Sequence, residues 1–74
     1  MEFSVRIVDE DGNPRSGVKV LINWPWTWSA EYTNDDGWAE FDVDGGPATG
    51  KVSAGGDELG EIVPEDGETF SFTV

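Results

Sequence analysis

Phe3-Ser4-Val5-Arg6-Ile7-Val8-Asp9-Glu10-Asp11-Gly12-Asn13-Pro14 contains the fold in miniature. Phe3, Val5 and Ile7 alternate with Ser4 and Arg6, the period of a strand with one buried face. The strand then runs into a turn with its own chemistry. Asp and Asn side chains bond the backbone two residues on, and Gly takes positive φ without steric cost. The same pair of signals recurs along the chain. Val18, Val20 and Ile22 alternate with Lys19 and Asn23, and Glu31 to Thr33 is a short extended piece. Asn34-Asp35-Asp36-Gly37 is a second turn. Ala39, Phe41 and Val43 then share one face, with Trp38, Glu40 and Asp42 on the other. Gly45-Gly46-Pro47 breaks that strand. Gly50 to Ala54 and Glu58 to Val63 flank Gly55-Gly56-Asp57 as a hairpin. Pro64-Glu65-Asp66-Gly67 turns the chain into Phe70, Phe72 and Val74. About seven short strands with frequent turn signals, and no helical period, predict an all-β, immunoglobulin-like antiparallel sandwich.

With 74 residues the chain makes a single domain, spanning residues 1–74. A domain this small buries only roughly 60% of its unfolded surface. It has no cysteine to staple it and no histidine, the commonest transition-metal ligand. Four Trp, four Phe and one Tyr are what it has to build a core.

Sixteen Asp and Glu against four Lys and Arg give a net charge of −12. That charge argues against nucleic acid, which is bound through basic patches, and against anionic membrane surfaces. The carboxylates are spread along the chain, which fits a solvated surface. A decoy that mimics nucleic acid would need them in regular rows, and most fall at turns. No stretch is apolar for long enough to span a bilayer, and the N-terminal residues read as a strand instead of a signal peptide.

The turn punctuation has a family likeness. Val8-Asp9-Glu10-Asp11-Gly12-Asn13-Pro14-Arg15-Ser16-Gly17-Val18-Lys19-Val20 is similar to the opening of carboxypeptidase-regulatory-like and transthyretin-like (prealbumin-like) domains. Thr33-Asn34-Asp35-Asp36-Gly37-Trp38-Ala39-Glu40-Phe41 resembles their second turn-and-strand element. Gly45 to Val52 sits where they place a further strand. Collagen-adhesin B-type repeats share the skeleton, but Arg6 and Ile7 stand in the first strand and Phe72-Thr73-Val74 in the last. The Lys and Asn or Asp of their internal crosslink are therefore not in place. The resemblance implies a prealbumin-like sandwich serving as a spacer, folding aid, adhesion unit or sugar-binding module.

Catalysis has little to work with. Triads and thiolate schemes need the absent His or Cys. A small sandwich also leaves little volume for a cleft between paired carboxylates. No cofactor is expected. Asp9, Asp11 and Asn13 have the spacing that opens an EF-hand loop. Pro14 and Val20 occupy the positions that need Gly and Glu, so no metal site is expected there. A cruder calcium site joining Asp9 or Asp11 to Asp35 or Asp36 competes with ordinary turn chemistry.

The candidate ligand residues are aromatic. Trp24, Trp26 and Trp28 share one side if the segment is extended, and Tyr32 has the same parity. Pro25 marks the segment as an edge or a loop. Either these rings extend the core face of Val18, Val20 and Ile22, or they present an aromatic surface to a partner. Trp38 points away from Phe41 and either covers its own sheet or meets a partner. The expected function is a non-catalytic structural or adhesive module that binds protein or acts as a spacer. The alternative is a carbohydrate-binding module using Trp24, Trp26 and Trp28. Exposed edges favour weak self-pairing while like charge opposes it, so a monomer or a weak homo-oligomer is expected.

Overall fold

Residues 1–45 and 48–74 are described by the computed structural model. Of the break expected at Gly45-Gly46-Pro47, Gly46 and Pro47 lie outside the described residues. Among the described residues seven strands form: β1 (Glu2–Val8), β2 (Lys19–Asn23), β3 (Trp28–Tyr32), β4 (Trp38–Asp42), β5 (Gly50–Ala54), β6 (Asp57–Ile62) and β7 (Glu68–Thr73). They make a sandwich of a three-stranded sheet, β4-β1-β7, and a four-stranded sheet, β3-β2-β5-β6. All pairings are antiparallel except β1 with β7, which brings the first and last strands side by side.

Alternation sets the inner faces. Phe3, Val5 and Ile7 of β1 are buried with Ala39 and Phe41 of β4, against Val20 and Ile22 of β2 and Val52 and Ala54 of β5. Phe3 is the hub of the aromatic packing. It stacks on Phe41 at 5.2 Å between ring centroids and meets Trp24 edge-on at 6.0 Å and Phe70 edge-on at 6.2 Å. Such pairs add about 0.5–1.5 kcal/mol each beyond the area they bury.

The turns do what their residues dictate. Asp9 Oδ1 accepts from the amides of Asp11 and Asn13, both at 2.9 Å. Asn34 Oδ1 accepts from Asp36 and Trp38, both at 3.0 Å. These two turns meet around Gly37. Its φ of +82° is in the left-handed region, and a Cβ there would lie 2.7 Å from the Ile7 carbonyl oxygen. That carbonyl accepts from the Arg15 amide, and the Ile7 amide donates to the Gly37 carbonyl. Thr33, which is buried, locks the same end: its hydroxyl accepts from the Val18 amide at 2.9 Å and donates to the Arg15 carbonyl at 2.6 Å. The Thr of the Thr33-to-Phe41 element therefore acts as an internal hydrogen-bonding hub.

Gly50 serves the opposite end. A Cβ on it would fall 2.6 Å from Ile22 Cγ2 and 2.8 Å from Trp24 Cζ3. The bare backbone is what lets the Trp24 ring lie against β5. Trp24→Ala should therefore cost about 3–5 kcal/mol, and Gly50→Ala about 1–3 kcal/mol through overpacking. Thermal unfolding followed by circular dichroism checks both. For a domain this size each kcal/mol is expected to lower Tm by roughly 4–8 °C.

Candidate functional site

The Trp-Pro-Trp-Thr-Trp segment is a hairpin tip. The Trp24 amide donates to the Thr27 carbonyl at 2.8 Å, and Asn23 pairs with Trp28. Pro25 and Trp26 thus turn the chain in two residues, as a fixed proline φ favours. This reversal breaks the common parity expected for the three rings. Val20, Ile22 and Trp24 point into the core along β2. Their partners on β3 have odd numbers, so the even-numbered Trp28, Ala30 and Tyr32 point outward.

The rings accordingly have separate environments. Trp24 is 5% exposed, and its indole N–H donates to Ser29 Oγ at 3.1 Å. Trp26 is 51% exposed and lies on Trp24, with centroids 6.0 Å apart and planes 14° from parallel. Its outer ring also covers Gly45, 3.2 Å from the position a Cβ would take. It caps the sandwich end. Trp38 is half-buried on the outer face of the three-stranded sheet, under the Arg6 guanidinium at 5.6 Å. Arg6 Nε in turn donates to the Asp36 carbonyl at 3.2 Å. Trp38 therefore covers its own sheet with a cation on top of it.

Trp28 and Tyr32 are different. They are 61% and 65% exposed, and among the described residues no aromatic ring packs on either. Both stand on the outer face of the four-stranded sheet, on one edge strand, roughly 14 Å apart at the usual rise per residue. Cross-strand register sets their neighbours. Lys19 lies beside Tyr32, Leu21 beside Ala30, and Asn23 beside Trp28. On β5, Ser53 follows Leu21 and Lys51 follows Asn23. Two shallow depressions cross this face. One, of about 210 Å³, lies between Lys19, Leu21 and Ser53. The other, of about 250 Å³, lies between Asn23, Lys51, Ser53 and Glu58. Lys19 and Lys51 are the only lysines in the chain, and both are here. Composition could not reveal this. Register could, once the two-residue turn at Pro25-Trp26 is recognised.

The opposite corner is acidic. Glu2, Glu31, Glu40 and Asp42 border a larger depression of about 460 Å³ where β3 nears β4. Among the described residues no group of three or more carboxylates could hold a metal ion, at this corner or between the Asp9 and Asp35 turns. The carboxylates there guard a sheet corner against strand addition. No helix of the described residues is long and apolar enough to cross a membrane.

No known family profile matches the chain, and a search of curated proteins returns no match. The class stands on the fold: a small all-β domain of two packed sheets. Replacing Trp28 or Tyr32 by Ala should change stability by no more than about 0.5 kcal/mol, as for other exposed positions. Urea unfolding of the two variants beside Trp24→Ala checks that these rings are surplus to the core.

Proposed function

We propose that the protein is a non-catalytic binding module of structural or adhesive character, and that its contact surface is the outer face of the four-stranded sheet. One observation carries this reading. In a chain short of core material, Trp28 and Tyr32 stand exposed on the same face of one strand, at its two ends. Large aromatic rings left in water on a rigid sheet mark interaction surfaces. The similarity of the Asp9-to-Pro14 and Thr33-to-Phe41 elements to carboxypeptidase-regulatory-like and transthyretin-like domains supports an accessory role. So does the chemistry: with neither His nor Cys, the familiar nucleophile–base pairs cannot be assembled.

A planar ladder of Trp24, Trp26 and Trp28 has no geometric support, because the buried Trp24 cannot meet a ligand. The surface proposed instead keeps Trp28 and adds Tyr32. The test is competition by substitution. Immobilised protein should capture a partner from extracts of its native source, and Trp28→Ala/Tyr32→Ala should abolish capture. Arg6→Gln, on the opposite face, should retain it. Equal capture by the wild type and the double variant would remove this face from the reading.

A further inference from the structure

We infer that the free edge of β7 takes up an extended segment of a basic partner protein as an added strand, antiparallel to β7. This site is separate from the outer face of the four-stranded sheet and stands or falls apart from it.

Among the described residues the two sheets end in four edges, β4 and β7 in one and β3 and β6 in the other. An unpaired edge invites another chain, and proteins blunt it with charge, bulges or cover. Three of the four are blunted. β3 and β4 close on each other at one side of the sandwich, and Glu31, Glu40 and Asp42 stand there. β6 carries Asp57, Glu58 and Glu61, and its pairing with β5 shifts register between Val52 and Ser53. β7 has none of these devices. After Glu68 it reads Thr69-Phe70-Ser71-Phe72-Thr73, without charge, glycine or proline and with β-branched and aromatic side chains around one serine.

Backbone parity shows which groups are on offer. The Val74 amide donates to the Val8 carbonyl at 2.9 Å. Alternate residues of a strand turn their N–H and C=O to opposite edges. Phe70, Phe72 and Val74 therefore bond β1. The N–H and C=O groups of Thr69, Ser71 and Thr73 face away from it, and among the described residues nothing pairs with them.

The space beside β7 has the shape of a strand slot. Three strands face four. Counted from the closed side, β4 faces β3, β1 faces β2 and β7 faces β5, which leaves β6 with no strand across from it. Phe72 leans over that place, its Cε1 3.2 Å from where a Cβ on Gly60 would lie. Leu59, Phe70 and Phe72 are only partly buried. A strand added to β7 completes a four-on-four sandwich and lays its alternate side chains on these three.

Charge and shape choose the occupant. In a chain of net charge −12 the slot is flanked by Glu65 and Asp66 in the turn before β7, by Glu68 at its start and by the three carboxylates of β6. Neither strand carries a lysine or arginine. The nearby cations are already matched: Arg6, in register with Ser71, covers Trp38, and Lys51 is in register with Glu61. A segment bearing Lys or Arg gains from this field, and an acidic one is repelled. A second copy fits poorly. Two copies joined antiparallel through β7 would each drive the overhanging β6 into the place of the other's β5, and each carries the same strong charge.

The probe is an octapeptide of alternating Lys and Val, followed by fluorescence anisotropy and by amide hydrogen exchange. Binding is expected, with exchange slowed at the Thr69, Ser71 and Thr73 amides and unchanged at Phe70 and Phe72. In an antiparallel strand the residues that bond β7 point their side chains to the outer face, where the Lys residues belong. N-methylation of the Lys residues should therefore weaken binding by roughly tenfold or more, and N-methylation of the Val residues should not. Ser71→Pro removes an outward donor and no ladder bond, so it should weaken binding as much. Trp28→Ala/Tyr32→Ala should bind as the wild type does, and a Glu-Val octapeptide should not bind. Equal binding of the Glu-Val peptide would overturn the choice of a basic partner. Sensitivity to methylated Val in place of methylated Lys would overturn the antiparallel direction. Binding lost in Trp28→Ala/Tyr32→Ala, or no protection along β7, would overturn the edge. No binding of the Lys-Val peptide at any concentration reached would overturn the inference and leave the aromatic face untouched. A dimer of the free protein in sedimentation equilibrium that Ser71→Pro dissociates would assign the edge to a second copy. Because the methylated peptides leave the protein unaltered, misfolding of Ser71→Pro cannot imitate the expected result.

Discussion

The edge-on contact of Phe3 with Trp24, seated over the bare backbone of Gly50, is the clamp on which the rest of the sandwich depends. It joins the centre of one sheet to the end of the central β2 strand of the other. A chain without disulfides must hold two sheets together by packing alone, and its aliphatic side chains are few. Burying an indole contributes roughly 5 kcal/mol at ordinary transfer values, a large share of the stability of a small domain. Phe41 and Phe70 extend the cluster across all three strands of the smaller sheet. The other end is held differently. There, Thr33 and Gly37 gather backbone hydrogen bonds from three loops, so geometry does the work that ring area does at the first end.

Given this division, the two outer faces differ in what they expose. The three-stranded sheet covers Trp38 with Arg6 at one end and shows Glu2, Glu40 and Asp42 toward the other. Carboxylates at its corner with β3, including Glu31 on an edge strand, oppose pairing with another chain. The four-stranded sheet shows the two exposed rings and both lysines, with Glu58 and Glu61 on the same face. The strong net charge keeps copies apart in general.

Much of the fold was legible from alternation and turns. Phe3, Val5 and Ile7 and Ala39, Phe41 and Val43 are buried as their period dictates, and every strand lies between turn residues that explain its ends. The parallel pairing of β1 with β7 was not legible, because local patterns do not record which distant strands meet. The candidate site was half legible. Counting by twos from Val18 to Tyr32 treats the segment as one extended piece. Pro25 and Trp26 reverse it, and in an antiparallel hairpin with a two-residue turn that reversal exchanges the parity of the inward residues. Trp24 therefore belongs to the core while Trp28 and Tyr32 face solvent, although all three have even numbers. β3 is also longer than the extended piece read from Glu31 to Thr33, because Trp28, Ser29 and Ala30 carry no clear alternation of their own.

The same reversal explains why the outer rings call for a function. Had Trp28 stood on the inner face it would have enlarged the clamp, as Trp24 and Trp26 do. On the outer face it buries little and leaves apolar area in water, as Tyr32 does. A sandwich short of core material gains nothing in stability from that placement, and hydroxyl or charged side chains would serve solubility better. The exposure of both rings on one flat sheet face is thus a departure from what the fold alone requires. Departures of this kind are where binding surfaces are found.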